Sequence, residues 1–362
     1  MEPKRRRALV VAVVVTVVVA IMAWLVVVVI VPVVEDAECA GIEFRAPAQA
    51  QAAPVEPRDR PPVGGTGGLA GELRRALRGD VPVVYCDDFA DPFVLRVGDS
   101  YYAYSTNTED YHVPLLTAGG LLRARKRSES LPQLPSWSAP GRVWAPAVLP
   151  RPGGFVLYYA TAAPNPDRQC LSRTFSARPD EFVDRSTGPL VCPERGGAID
   201  PSPFVDQDGR AYLLWKHYAP GTTGIVAQEL SPDGLNLVGP MRLLLEADQA
   251  WEGGLVEAPS MVAHEGRYYL FYSANDWATP SYAIGYAVCD SPMGPCTKSA
   301  GPWLASTEKA EGPGGQEVFA DKQGRLGLVL HAWVRGKVGY PNGARNVFVL
   351  RLDFLNGVPV AA

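Results

Sequence analysis

Residues 200–216 read DPSPFVDQDGRAYLLWK, from Asp200 to Lys216. A carboxylate and a proline lead into a short apolar run, a polar turn containing Gly209, and an aromatic-rich second run. This is the pattern of a β-hairpin. The same plan recurs as DPFVLRVGDSYYAYST from Asp91, APAVLPRPGGFVLYYAT from Ala145, APSMVAHEGRYYLFYSA from Ala258 and GPGGQEVFADKQGRLGLVLHAW from Gly312. The aligned prolines are Pro92, Pro146, Pro201, Pro259 and Pro313, spaced by 54, 55, 58 and 54 residues. A period of that length, filled with short β-rich runs and turn signals and lacking a 3.6-residue rhythm, predicts propeller blades of about four strands each. Five copies predict an all-β, five-bladed β-propeller. The repeat also settles Asp206, Asp208 and Gly209. Other copies place VGD, PGG, HEG and KQG in that slot, so DQDG reads as a hairpin turn rather than a calcium loop.

Equivalent strands of a propeller line one channel, so residues more than fifty apart in sequence are expected to meet at one mouth. The positions at or beside the aligned prolines hold Asp91, Ala145, Asp200, Glu257 and Glu311. Asp91, Asp200 and Glu257 crowded together are electrostatically costly, and folding does not require such a cluster. Crowded carboxyls are, however, the equipment of glycoside hydrolysis, in which one donates a proton to the leaving oxygen and another activates water.

From about Val83 onward the chain resembles glycoside hydrolase family 43. The runs that carry the resemblance are ADPFVLRVGDSYYAYSTN, LPSWSAPGRVWAPAV, IDPSPFVDQDGRAYLLWK, EAPSMVAHEGRYYLFYSAN, YAIGYAVCDSPMGPC and EGPGGQEVFAD…LVLHAW, in family order. The resemblance implies an inverting, single-displacement glycosidase acting on arabinofuranosyl or xylosyl linkages of a polysaccharide. Asp91 would be the general base, Glu257 the general acid, and Asp200 the group that tunes the acid. Asp87 and Asp88 are rivals for the base, and the DPFVL match favours Asp91. The resemblance requires no cofactor. It also places His331, in LVLHAW, where an axial imidazole could hold calcium through water, the alternative being a hydrogen-bonded core histidine. Gly315 stands where endo-arabinanases of the family often carry His, which weighs against an arabinanase and favours an exo-acting or uncharacterised specificity.

Trp144, Trp215 and Trp277 are candidate sugar-stacking residues, because an aromatic face offers a flat apolar platform to C–H groups. Trp144 lies beside the mouth. Arg345, in NGARN, is a candidate ligand for a substrate hydroxyl or carboxylate, with a surface salt bridge as the alternative.

The N-terminus has a different character. Lys4, Arg5, Arg6 and Arg7 precede residues 8–34, which carry no charge. As a helix this stretch would reach about 40 Å, enough to cross a bilayer core of about 30 Å with tilt. It is longer than a signal-peptide core, and Glu35-Asp36-Ala37-Glu38 makes a poor cleavage site. The expected organisation is a basic cytoplasmic stub at 1–7, a transmembrane anchor at 8–34, a linker at 35–80 and the propeller at 81–362. The basic cluster puts the C-terminal domain outside the cell, and secretion after cleavage is the alternative.

The chain has 362 residues, 34 basic against 38 acidic, for a net charge of −4. With no basic stripe, nucleic acid is not an expected partner. A monomer acting on polysaccharide is expected. The six cysteines fit no zinc pattern and suit disulfides in an oxidising compartment. Cys289 with Cys296 and Cys170 with Cys192 are the expected pairs; Cys39 and Cys86 could pair with each other, the alternatives being that Cys39 stays free or links two chains. A surface carbohydrate-binding propeller without catalysis, or a partner-binding propeller unrelated to sugar, are the competing functions.

Overall fold

The computed structural model describes Glu43–Phe44 and residues 81–118, 127–164 and 167–361. These residues form five antiparallel sheets, one for each sequence repeat. Blade one comprises Phe93–Val97, Ser100–Tyr104, Pro114–Ala118 and Arg127–Glu129. Blade two has three strands, Ala139–Arg151, Gly154–Pro164 and Asp167–Ser176. Blade three contains Gly197–Val205, Ala211–Ala219, Thr222–Leu230 and Leu237–Leu245. Blade four contains Val256–His264, Arg267–Ala274, Ala283–Cys289 and Cys296–Lys298. Blade five is composite: Ala310–Ala320, Leu326–Val334 and Arg345–Leu355 come from the C-terminal end of the chain. The strand Val81–Tyr85 pairs antiparallel with Arg345–Leu355, so the two ends of the domain share one sheet and close the ring.

Alternation along the strands builds the seams between blades. Tyr212 and Leu214 pack toward blade four, while Leu213 and Trp215 pack toward blade two. In blade four, Leu270 and Tyr272 face blade three, whereas Tyr269 and Phe271 face blade five. The remaining seams are filled by Tyr104, Leu157 and Tyr159 between blades one and two, and by Phe89, Val94 and Val329 between blades five and one. Each large side chain so buried contributes about 1.5–3 kcal/mol, which makes the seams the main source of cohesion. Each strand has two apolar faces because both meet a neighbouring blade. The paired tyrosines of the sequence repeat follow from that.

The residue before each aligned proline has a left-handed backbone: Asp91 at φ 50°, Ala145 at 45°, Asp200 at 57°, Ala258 at 47° and Gly312 at 60°. A residue before proline normally prefers extended geometry, so this is a strained and repeated feature. Ala145 and Ala258 carry no chemistry there, so the strain belongs to the architecture and not to a reaction. In blades two to five the strand register shifts at this point, between Trp144 and Ala147, Ile199 and Ser202, Glu257 and Ser260, and Glu311 and Gly314. Such a bulge re-aims the side chains on either side of it.

The DQDG segment is a turn, with Gly209 N–H donating to the Asp206 carbonyl and Asp208 paired to Arg210. Disulfides join Cys170 to Cys192 and Cys289 to Cys296, the two pairs expected from spacing. Cys39, and with it its pairing to Cys86, falls outside the described residues, as does the expected span at 8–34. Among the described residues no helix is long and apolar enough to cross a membrane.

Candidate active site

A cavity of about 1130 Å³ opens at one mouth of the channel, and Asp91, Asp200 and Glu257 all line it. They come from blades one, three and four, so radial repetition brings them together. A narrower void deeper in the channel also touches Asp91 and Asp200.

Asp91 is held as a carboxylate. Thr106 donates its hydroxyl to Oδ2 at 2.6 Å, and Arg345 Nη1 lies 3.6 Å from the same oxygen. Burial works against the charge, but the Arg345 guanidinium and the Thr106 hydrogen bond outweigh it and keep the carboxyl below its ordinary range. The backbone N–H of Asp91 donates to His331 Nδ1 at 3.0 Å, linking blade one to blade five.

Asp200 lies in the opposite environment. Burial, followed by the nearby charges of Glu257 and Asp91, pushes its carboxyl up to about 8. It accepts the Ala258 N–H at 2.9 Å, in the residue after Glu257. Glu257 is 8% exposed, and both its oxygens are occupied. Lys216 Nζ contacts Oε2 at 2.8 Å and the Tyr282 hydroxyl donates to Oε1 at 2.8 Å. The cluster therefore contains one carboxyl kept ionised by a guanidinium, Asp91, and one that retains its proton near neutrality, Asp200. An acid and a base of that kind, facing one water-accessible cavity, can protonate one atom and activate water at another.

The aromatic and basic wall is partly as expected. Trp144 and Trp277 line the cavity. Arg345 is no surface residue: its guanidinium stacks 4.7 Å from the Trp277 ring and 5.7 Å from the Tyr340 ring, and its Nε donates to the Tyr340 hydroxyl. Trp215 must be corrected. It is 1% exposed in the seam between blades two and three and reaches no cleft, because adjacent strand residues point to opposite faces and Lys216 takes the cleft side. Glu311 also lies apart, accepting the Gly336 N–H and facing Arg335. Of the rival bases, Asp87 pairs with Arg127, and Asp88 accepts from the Tyr340 hydroxyl and the Arg345 N–H. Both are bracing contacts at the rim.

His331 fits calcium poorly. Burial drives its titration down to about 3, so the ring is neutral, and its approach to Asp91 Oδ1 is not an ion pair. Because Nδ1 accepts from the Asp91 N–H, the ring proton sits on Nε2, which is buried without a hydrogen-bond partner. An N–H in that position can neither ligate a cation nor accept from a metal-bound water. Among the described residues no group of three or more His, Cys, Asp or Glu could hold a metal ion. The core-histidine alternative describes His331 better: it stacks against Tyr282 and orients Asp91.

The profile of Glycosyl hydrolases family 43 matches residues 81–359, the whole of the propeller. The chain belongs to glycosyl hydrolases family 43. Its relatives include a β-D-galactofuranosidase of Aspergillus niger, 28% identical over 57% of this chain and 62% of that protein. They also include an extracellular endo-α-(1→5)-L-arabinanase of Bacillus subtilis, 25% identical over 69% of this chain and 82% of that one. The crystal structure of a thermostable family-43 glycoside hydrolase superimposes with a TM-score of 0.68 at 29% identity, covering 76% of this chain and 93% of the other. The chain thus spans less than two thirds of the length of the galactofuranosidase it resembles.

Three residues of this family 43 site escaped the sequence reading: Thr106, Lys216 and Tyr282. Thr106 and Lys216 occupy one repeat position, two residues beyond the second-strand partners of Phe93 and Ser202. They also end the quoted copies DPFVLRVGDSYYAYST and DPSPFVDQDGRAYLLWK, so the alignment already carried their signal. Glu317 was missed as well. It sits in the channel below the acids, accepting from Ser202 and Ser260 hydroxyls of two neighbouring blades, and burial pushes it up to about 8.

Proposed function

We propose that this chain is an inverting glycosidase that removes arabinofuranosyl or xylosyl units from the end of a polysaccharide. Asp91 takes the proton of an attacking water. Glu257 protonates the departing glycosidic oxygen, and Asp200 tunes Glu257 as the neighbouring buried carboxyl that resists ionising beside it. The observation that carries this reading is the convergence of the three acids on one cavity with opposed protonation environments, Asp91 beside Arg345 and Asp200 beside Glu257. In the step itself the water oxygen bonds to the anomeric carbon on the face opposite the leaving group and its proton passes to Asp91. The carbon–oxygen bond breaks as Glu257 gives up its proton, so the products are a free sugar of inverted configuration and a shortened glycan. Trp144, Trp277 and Arg345 would hold the sugar, and no step needs a metal at His331.

The test is hydrolysis of nitrophenyl α-L-arabinofuranoside, β-D-xyloside and β-D-galactofuranoside, and of arabinan, by the wild type and by Glu257→Gln. The substitution is expected to lower kcat on arabinan about 10²–10⁴-fold. Undiminished turnover by Glu257→Gln, or a first product of retained configuration by NMR, would overturn the reading. Glycan retention without turnover by the wild type would mark a binding propeller instead.

We further infer that residues 8–34 anchor a monomeric enzyme to the membrane with the propeller outside the cell. The uncharged apolar run behind Lys4–Arg7 supports this. Release of the full chain from membranes by alkaline carbonate alone would refute it.

A further inference from the structure

The hydrogen bonds around Glu257 leave a general acid without room for its proton. Lys216 donates to one oxygen and Tyr282 to the other, so a proton on either must displace a donor. Tyr282 is fixed. It is 2% exposed, lies flat against His331 and packs over Gly314, where any Cβ would collide with its ring. Lys216 is the mobile partner, a charge on a four-carbon stem that borders the open cavity, with its Nζ 5.8 Å from the Tyr218 ring. The other described cations that line the cavity are committed elsewhere, Arg345 to Asp91 and Arg127 to Asp87. The charged and titratable groups facing the pair are Asp200, Tyr282 and Tyr218, with Asp91 across the mouth.

We propose that Lys216 is the positioning residue that opposes Asp200 in tuning Glu257: its ammonium stabilises the charge that Glu257 acquires on giving its proton to the leaving oxygen, and it withdraws when the carboxyl is reprotonated from solvent. The proposal rests on Glu257 being the general acid. Asp200, buried and negative when ionised, makes Glu257 a weaker acid; Lys216, paired at 2.8 Å with side chains only 13% and 10% exposed, makes it a stronger one. Charge is conserved through the cycle. Each turnover moves one proton from Glu257 to the glycosidic oxygen and one from water to Asp91, and the ammonium then faces a full carboxylate again.

The experiment compares wild type, Lys216→Met and Lys216→Arg. The pH dependence of kcat/KM is measured with a nitrophenyl glycoside and with the corresponding oligosaccharide. Removing the ammonium is expected to move the alkaline limb upward by about one to three pH units. It should also lower kcat at least tenfold more on the oligosaccharide, whose leaving oxygen needs the proton, than on nitrophenolate release. Lys216→Arg, which keeps the charge, should restore the limb. A merely structural lysine would lower both rates alike and leave the limb in place, and that result overturns the proposal. A second readout needs no turnover. Carbodiimide labels protonated carboxyls, and the pH midpoint for labelling Glu257, read by peptide mass spectrometry, should rise in Lys216→Met. An unmoved midpoint overturns the proposal whichever glycoside is cleaved. An alkaline limb that persists unchanged in Glu257→Gln would instead overturn the assignment of the acid.

Discussion

Asp91 and Asp200 occupy the same position in two blades, each before an aligned proline and each with a left-handed backbone, yet they are held in opposite protonation states. Asp91 has Arg345 at 3.6 Å and the Thr106 hydroxyl, and it is held below the ordinary carboxylate range. Among the described residues no guanidinium faces Asp200. It is buried beside Glu257 and pushed up to about 8. The fold repeats the same left-handed position before the proline five times, and the chemistry is decided by what the neighbouring blades place opposite each copy.

The sharpest way to break this contrast is to remove the guanidinium. Asp91 would then lose the charge that offsets its burial, and its carboxyl would move toward the state of Asp200. In Arg345→Met the acidic limb of kcat/KM is expected to rise by about one to three pH units, with a fall in rate at mildly acidic pH of about 10–10³-fold. Lys is the informative second substitution, because it keeps the charge but loses the stack on Trp277. A smaller effect is expected at the platform. Trp277 is 38% exposed and covers the Arg345 guanidinium, so Trp277→Ala should raise KM by about tenfold, as expected for losing a single aromatic contact, with a lesser change in kcat. An unchanged KM would place the sugar on Trp144 instead.

The smallest effect lies deeper in the channel, at Glu317. Its carboxyl titrates at about 8 in the folded protein against an ordinary 4.5, so the folded state binds the proton more tightly than the unfolded chain. Below about pH 4.5 both states are protonated and nothing is lost. As pH rises from there to about 8, the unfolded chain sheds its proton first and stability falls. Glu317→Gln should therefore flatten the decline of the urea midpoint over that window, and a parallel decline in the variant would show that Glu317 is not its source.

The fold was legible because a propeller is a repeat. Five prolines at near-constant spacing fix five sheets without any knowledge of their contacts. The three acids were legible for the same reason, since equivalent positions of a closed ring must converge. What failed was the facing of individual side chains. Trp215 and Lys216 are neighbours in a strand, and the choice of which enters the cleft depends on register at the bulge between Ile199 and Ser202. Glu311 sits two residues before its proline, as Glu257 does, yet it pairs with the turn at Arg335 and Gly336. Tyr282 belongs to a loop that the repeat does not cover, and no spacing rule could have found it.

The sequence by itself determined the number of blades, the turn at each hairpin and the three acids that meet at the mouth. All of these are properties of one repeat unit and follow from local periodicity. Only the tertiary structure decided which carboxyl is ionised, which tryptophan is buried and which lysine touches the acid. Those outcomes depend on distances of a few ångströms between blades far apart in the chain, and for carboxyls as buried as these such distances govern charge more strongly than residue type does.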